Sequence, residues 1–441
     1  MQPEYQRSER NRRAVLTSVT TIGAKIFSAL ISLLSVPLTL PYLGPERFGL
    51  WITLLSFQTV FGLADFGVGN GVLQVVSDAF GRRDYAKIRR TILAGLRFQV
   101  TLGLAITILF VVTFPIIPWG TIFHVRGSDA KAEIRPAIAC FFSIFVIRSV
   151  TQVIQQAQFA VQSGYIASIW NAVGNIAALV GLVICAAERA GVPALCLVVS
   201  GLPVVASVLN VCLWLYRSQH IRRRVSFIDN FEKSRYRELL TVGSMFFVLQ
   251  LFAQLHAGID PLIVNQILGP TFVSHFIIVQ RPVDLLLMFL MLALQPVWPA
   301  YREAKASGDI EWIRRTFRRT MIASLAVALC FSISLLFLGT PAIEWWTHFK
   351  EIPSAQLLKS YCVSILFSST QAPIALLLNG LGSVRVQLMI AAPAIMASIF
   401  LKTVLLSRIG LVAVPLTTFA VGVFLMIPVQ ALYIRYLFRT I

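Results

Sequence analysis

Apolar segments long enough to cross a lipid bilayer follow one another along this chain with only short connections between them. A crossing takes about 20 predominantly apolar residues. Runs bounded by charge, Pro or Gly lie near Ala14–Tyr42, Phe48–Val76, Thr91–Trp119, Ile134–Gln162, Tyr165–Ala187 and Val192–Tyr216. A second set lies near Leu239–Leu268, Phe272–Ala300, Thr316–Gly339, Ala355–Leu381, Val384–Leu406 and Leu411–Leu437. Because the hydrocarbon core offers backbone groups no hydrogen-bond partners, such runs must be helical. The expected fold is therefore an all-α polytopic membrane protein of about 12 transmembrane helices. Charged residues make up only 13% of the chain, against about a quarter in soluble domains. The charged start, Met1–Arg13, leads into a run too long for a signal-peptide core, so it is read as a retained first span.

A net charge of +19 could suggest a nucleic-acid partner, but the placement of the charge argues for none. Basic residues cluster in alternate connections. Four precede the first run (Arg7, Arg10, Arg12, Arg13) and five follow the second (Arg82, Arg83, Lys87, Arg89, Arg90). Seven lie between Arg217 and Arg237, and six between Arg302 and Arg319. The intervening connections share only eight. By the positive-inside rule both termini face the cytoplasm. The six cysteines form no C-x-x-C pair, and the spacing indicates neither a metal site nor a cofactor.

The chain also repeats itself. Leu43-Gly44-Pro45 recurs as Leu268-Gly269-Pro270, Asp84 as Asp309, and Ile88-Arg89-Arg90-Thr91 as Ile313-Arg314-Arg315-Thr316, all in one register. Six spans per repeat is an even number, so the halves share one orientation. The expected plan is two parallel six-helix lobes around a central cavity. These are an N-terminal lobe over 1–216, a basic cytoplasmic linker over 217–238, and a C-terminal lobe over 239–441.

Eight charges interrupt the spans: Lys25, Asp65, Arg97, Arg148, Asp260, Arg281, Asp284 and Lys402. A charge at the bilayer centre costs about 2.5–3.5 kcal/mol on the mildest scale, and such residues mark wet pathways. Thr21, Lys25, Ser28, Ser32 and Ser35 fall on one helical stripe; Arg148, Gln152, Gln155 and Gln162 form another, and Ser364, Ser368, Gln371 and Asn379 a weaker third. At about 1.5 Å per residue, Lys25 and Arg148 lie roughly 16–20 Å deep, near the midplane. Structural roles compete. Arg281 and Asp284, at i and i+3, could neutralise one another. Lys402, near an outer end, is expected to snorkel. His256 and Asp260 are spaced i and i+4, but Pro261 makes the helical direction there uncertain. Asp65-Phe66-Gly67-Val68-Gly69-Asn70-Gly71 lacks the strand and helix of a dinucleotide loop, so its glycines fit a kink or close helix packing.

The run Leu43-Gly44-Pro45-Glu46-Arg47-Phe48-Gly49-Leu50-Trp51, then Leu63 to Gly71, then Gly81-Arg82-Arg83-Asp84, resembles the polysaccharide transporter family. That family includes the Wzx-type O-antigen flippases of the multidrug/oligosaccharidyl-lipid/polysaccharide exporter superfamily. The motifs cover mainly the first quarter; the twelve-span plan covers nearly all of the chain. Phe48 stands where tyrosine is more usual. The resemblance implies a non-enzymatic flippase of the cytoplasmic (inner) membrane. Its substrate would be an undecaprenyl-pyrophosphate oligosaccharide, with membrane lipids and polysaccharide assembly machinery as partners. Lys25, Arg148 and Arg281 would then hold the pyrophosphate, and Gln152 and Gln155 the sugar hydroxyls. Asp65, Asp260 or Asp284 would couple ion flow. Two alternatives stand beside it. A multidrug antiporter of the same superfamily would want an anionic cavity, yet five of the eight intramembrane charges are basic. A glycan polymerase or ligase would need large outer loops carrying catalytic residues, and the longest outer connections are short.

Overall fold

The computed structural model of the chain describes residues 2–61, 67–217, 247, 251–252, 255, 258–294, 297–347 and 354–440. All regular structure among them is helical, and the protein is an all-α polytopic membrane protein. The chain divides into two compact units, Met1–Leu43 with Leu50–Gly258, and Gly44–Gly49 with Ile259–Ile441. The proposed linker over 217–238 lies, apart from Arg217, outside the described residues.

The first part of the chain forms α1 (Gln2–Phe61), α2 (Val68–Gly81), α3 (Tyr85–Thr113), α4 (Ser128–Ala160), α5 (Gly164–Ala187) and α6 (Leu202–Arg217). A π-helical segment, Cys196–Gly201, leads into α6. The second unit contains α7 (Asp260–Leu268), α8 (Pro270–Leu294), α9 (Val297–Ala306), α10 (Ile310–Thr347), α11 (Ala355–Gly380), α12 (Val384–Ile409), α13 (Ala413–Val421) and α14 (Ile427–Thr440). A second π-helical segment, Gly422–Met426, joins α13 to α14.

Among the described residues, 9 helices are long and apolar enough to cross a membrane. Two of these, Val19–Gln58 and Arg385–Arg439, run for 40 and 55 residues and turn on left-handed glycines, Gly44 (φ 73°) and Gly410 (φ 65°). The first therefore carries span one and the start of span two, which α2 completes; the second carries spans eleven and twelve. Gly67 is also left-handed (φ 76°), which agrees with the kink expected from the glycine run. Half of the expected seventh span, Leu239–Leu268, lies outside the described residues; α7 is its end.

The internal repeat extends to backbone geometry. Gly44 (φ 73°, ψ 168°) and Gly269 (φ 96°, ψ 171°) share one conformation that L-residues avoid. After α2 the chain turns on left-handed Arg83 (φ 59°), and after α9 on Gly308 (φ 76°). Asp84 then caps α3 by accepting from the Lys87 amide at 2.9 Å, and Asp309 caps α10 from the Trp312 amide at 3.0 Å. The Asp84 amide donates to the Ala79 carbonyl and the Asp309 amide to that of Ala304, both at 2.9 Å. Equivalent apolar clusters pack at these turns: Ala79, Ile88, Ile154 and Trp214 in the first unit, Ala304, Ile313, Ile374 and Ile434 in the second. Outside the clusters, large apolar side chains such as Leu104, Ile108 and Val111 on α3 are exposed, as a lipid-facing surface requires.

Candidate functional site

The first unit encloses a cavity of about 500 Å³ between α1, α4, α5 and the π-helical start of the sixth span. Its shape depends on close packing of α5 on that span. A Cβ added to Gly174 would lie 2.6 Å from the Cα of Pro203, and one added to Gly181 would lie 2.5 Å from Cγ1 of Val198. Small residues let the helices approach this closely, as membrane helix pairs commonly do.

From α1 the cavity is lined by Thr21, Lys25 and Ser28, three members of the stripe read from the sequence. Ser32 and Ser35 do not join them. Ser35 is buried and donates to the Ser32 carbonyl, so its hydroxyl is satisfied on its own helix. From α4 come Arg148, Gln152 and Gln155, together with Thr151 and Gln156. Gln162 is not on this face: α4 ends at Ala160, and Gln162 sits in the following turn with φ 59°.

Several lining residues were not singled out in the sequence. Ser168, Asn171 and Asn175 reach the cavity from α5, and Ser200 and Ser207 from the sixth span. Both sets follow helical spacing, so the signal was present: polar residues three and four apart on α5, and two turns apart on the sixth span, in otherwise apolar runs. Gln58, in the second half of α1, also lines it.

Most of these neutral groups are engaged across helices. The hydroxyls of Thr21 and Ser168 lie 2.8 Å apart, and Asn175 donates to Ser28 Oγ at 2.8 Å. Gln155 donates to Ser207 Oγ at 2.9 Å, and Ser200 donates to Gln58 Oε1 at 3.0 Å. Gln158 and Asn210, both buried, exchange two amide bonds of 3.0 and 2.9 Å and tie α4 to α6.

The cations differ. Both side chains are exposed, and among the described residues neither the Lys25 ammonium nor the Arg148 guanidinium has an ion-pair or hydrogen-bond partner. No Asp or Glu among the described residues lines the cavity. Among the described residues the depression thus presents two positive charges, amide donors on Gln152, Gln156 and Asn171, and no acid, a chemistry that attracts anions and hydroxyl oxygens.

The second unit holds the other intramembrane charges. Lys402, expected to snorkel, instead is 4% exposed and sets its ammonium 2.7 Å from Asp260 Oδ1. The carboxylate on α7 offers a nearer and stronger partner than the headgroup region, so the side chain turns inward. Asp284 accepts from Gln280 Nε2, and Gln280 Oε1 accepts from the Tyr361 hydroxyl, which forms a polar chain from α8 to α11. Arg281 is buried on α8 and does not line the first unit's cavity. Asp65 and His256 lie outside the described residues.

Solved structures share this fold. The chain superposes on an inward-facing multidrug resistance MATE family transporter of the MOP superfamily with a TM-score of 0.76 at 14% identity, covering 96% of this chain and 98% of that one. It superposes on the lipid II flippase MurJ with a TM-score of 0.71 at 14% identity, covering 96% of this chain and 87% of that one. In sequence, a Yersinia pseudotuberculosis protein named for O-antigen export is 20% identical over 295 residues, 66% of each chain. The family described as polysaccharide biosynthesis protein matches residues 17–303, a stretch that holds the left-handed glycine turns at 44 and 269, the capped turn at Asp84 and the residues lining the cationic cavity. The chain, a polytopic membrane protein with the fold of these solved structures, belongs to the polysaccharide biosynthesis protein family.

Proposed function

We propose that the protein is a flippase for lipid-linked oligosaccharides. Its substrates would be undecaprenyl-pyrophosphate glycans, such as O-antigen or exopolysaccharide repeat units, moved from the inner to the outer leaflet of the cytoplasmic membrane. The observation that carries this reading is a cavity lined, among the described residues, by two cations without a protein partner and by no acid. Lys25 and Arg148 would take the pyrophosphate, the lysine as a point charge and the arginine as a planar fork. Gln152, Gln156, Asn171 and the remaining valences of Gln155 would meet sugar hydroxyls. Arg281 would be a second cationic station, in the C-terminal lobe. Moving an anion outward across an inside-negative membrane is favourable by about 2.3 kcal/mol per charge per 100 mV. Asp284, at the end of the Gln280–Tyr361 chain, and Asp65 are the carboxylates we assign to ion coupling; Asp260 would share that role only on release of Lys402. In this arrangement both termini and the linker over 217–238 face the cytoplasm, between an N-terminal lobe (1–216) and a C-terminal lobe (239–441). A multidrug antiporter would concentrate cations, which two uncompensated positive charges repel.

The test is surface glycan measured together with membrane abundance. Lys25→Ala and Arg148→Ala should leave abundance near normal, because neither cation holds a partner, and should cut glycan export at least tenfold. Lys25→Arg should be milder than Lys25→Glu. Normal export in both alanine variants at normal abundance sinks the proposal.

A further inference from the structure

We infer that the cavity of the first unit, when it holds no transported substrate, binds a small inorganic oxyanion of the phosphate class between Lys25 and Arg148, and that the substrate must displace it. The inference rests on the cavity alone and does not require the transported molecule to be a glycolipid.

Two cations facing one depression within a membrane repel each other and attract counter-charge. Elsewhere in this protein, intramembrane charge is met by protein groups: Lys402 has Asp260, and Asp284 has Gln280. At the cavity the described residues provide no such group. Among the described residues no acid lines it, and the nearby hydroxyls and amides of Thr21, Ser28, Asn175, Gln155 and Ser207 are already bonded within the protein. The compensating charge must then come from solution. The donor set selects among anions. A guanidinium presents paired N–H groups that match two oxygens of one tetrahedral or planar oxyanion, and Gln152, Gln156 and Asn171 add unengaged amide N–H donors. A halide uses neither the fork nor the spread of donors. The cavity, at about 500 Å³, admits a hydrated phosphate with room to leave.

The experiment uses the full chain, purified into lipid nanodiscs made of zwitterionic lipid, so that no headgroup supplies competing phosphomonoester or net negative charge. Binding of radiolabelled inorganic phosphate is followed by equilibrium dialysis, with sodium chloride as the matched-ionic-strength control and unlabelled pyrophosphate as competitor. Saturable binding near one phosphate per chain, displaced by pyrophosphate and not by chloride, is expected. Lys25→Gln and Arg148→Gln should each weaken it at least tenfold, and Lys25→Arg should retain it. No saturable binding to the wild-type protein overturns the inference without any variant having to fold. Equal displacement by chloride, or undiminished binding in a Lys25→Gln/Arg148→Gln double variant, overturns it as well. Saturable phosphate binding combined with normal glycan export in Lys25→Ala cells would uphold the anion site and remove the flippase role of these cations. Absent phosphate binding combined with lost export would do the reverse.

Discussion

At the scale of single residues, the two kinds of intramembrane charge make opposite forecasts. Lys402 and Asp260 are paired at 2.7 Å and shielded, so each depends on the other. Removing one partner leaves a buried charge uncompensated, at about 3–5 kcal/mol, whereas replacing both by apolar groups is often neutral. Asp260→Ala or Lys402→Ala alone should therefore deplete folded protein in the membrane, and Asp260→Leu/Lys402→Met should restore much of it. Fluorescence-detected size-exclusion profiles read this directly; equal loss in single and double variants would contradict the pairing. Lys25 and Arg148 have nothing comparable to lose, so their alanine variants should keep a wild-type profile. Residue spacing alone found Lys25, Arg148, Gln152 and Gln155 because polar side chains on one helical face of an apolar segment are conspicuous. It misplaced Lys402, because the partner that captures it lies 142 residues away in sequence.

At the scale of elements, the repeated turns and the glycine contacts carry the forecasts. Asp84 and Asp309 each accept from an amide three residues on, at 2.9 and 3.0 Å. Losing such a cap costs about 1 kcal/mol, so Asp84→Ala and Asp309→Ala should lower the unfolding midpoint by similar amounts. A loss confined to one of them would show that the two turns are not energetically alike. Gly174 and Gly23 separate packing from helix propensity. Alanine at 174 meets the backbone of Pro203 at 2.6 Å, whereas nothing lies within 4 Å of a Cβ at 23. Overpacking costs about 1–3 kcal/mol, while Gly→Ala in an open helical position gains up to about 1 kcal/mol. Gly174→Ala should thus destabilise the protein and disturb anion binding in the cavity, and Gly23→Ala should do neither. Thermal unfolding of both variants decides it.

At the scale of the whole molecule, the alternation of basic connections predicts orientation. Reporter fusions after Arg224 should read cytoplasmic and fusions after Gly127 external. The reverse pattern would overturn the proposed direction of transport. The family match places the chain among polysaccharide biosynthesis proteins, and the solved structures share its fold. The charge of the cavity, more than the fold, is what favours an anionic cargo, since structures at 14% identity share this architecture across transporters named for different cargoes.

The sequence by itself determined the helical, membrane-spanning class, because apolar runs of this length have no other way to satisfy their backbone. It also determined the repeat, since Leu-Gly-Pro and the capping aspartates recur in one register and those residues dictate their own local geometry. What only the tertiary structure decided is which polar stripes meet. Thr21 faces Ser168, and Gln155 faces Ser207, through helix packing set by distant glycines and prolines. That packing engages the neutral groups with one another and leaves Lys25 and Arg148 without a protein partner among the described residues. Periodicity ranks the faces of each helix but carries no term for contacts between helices, and the charge state of the cavity is a property of those contacts.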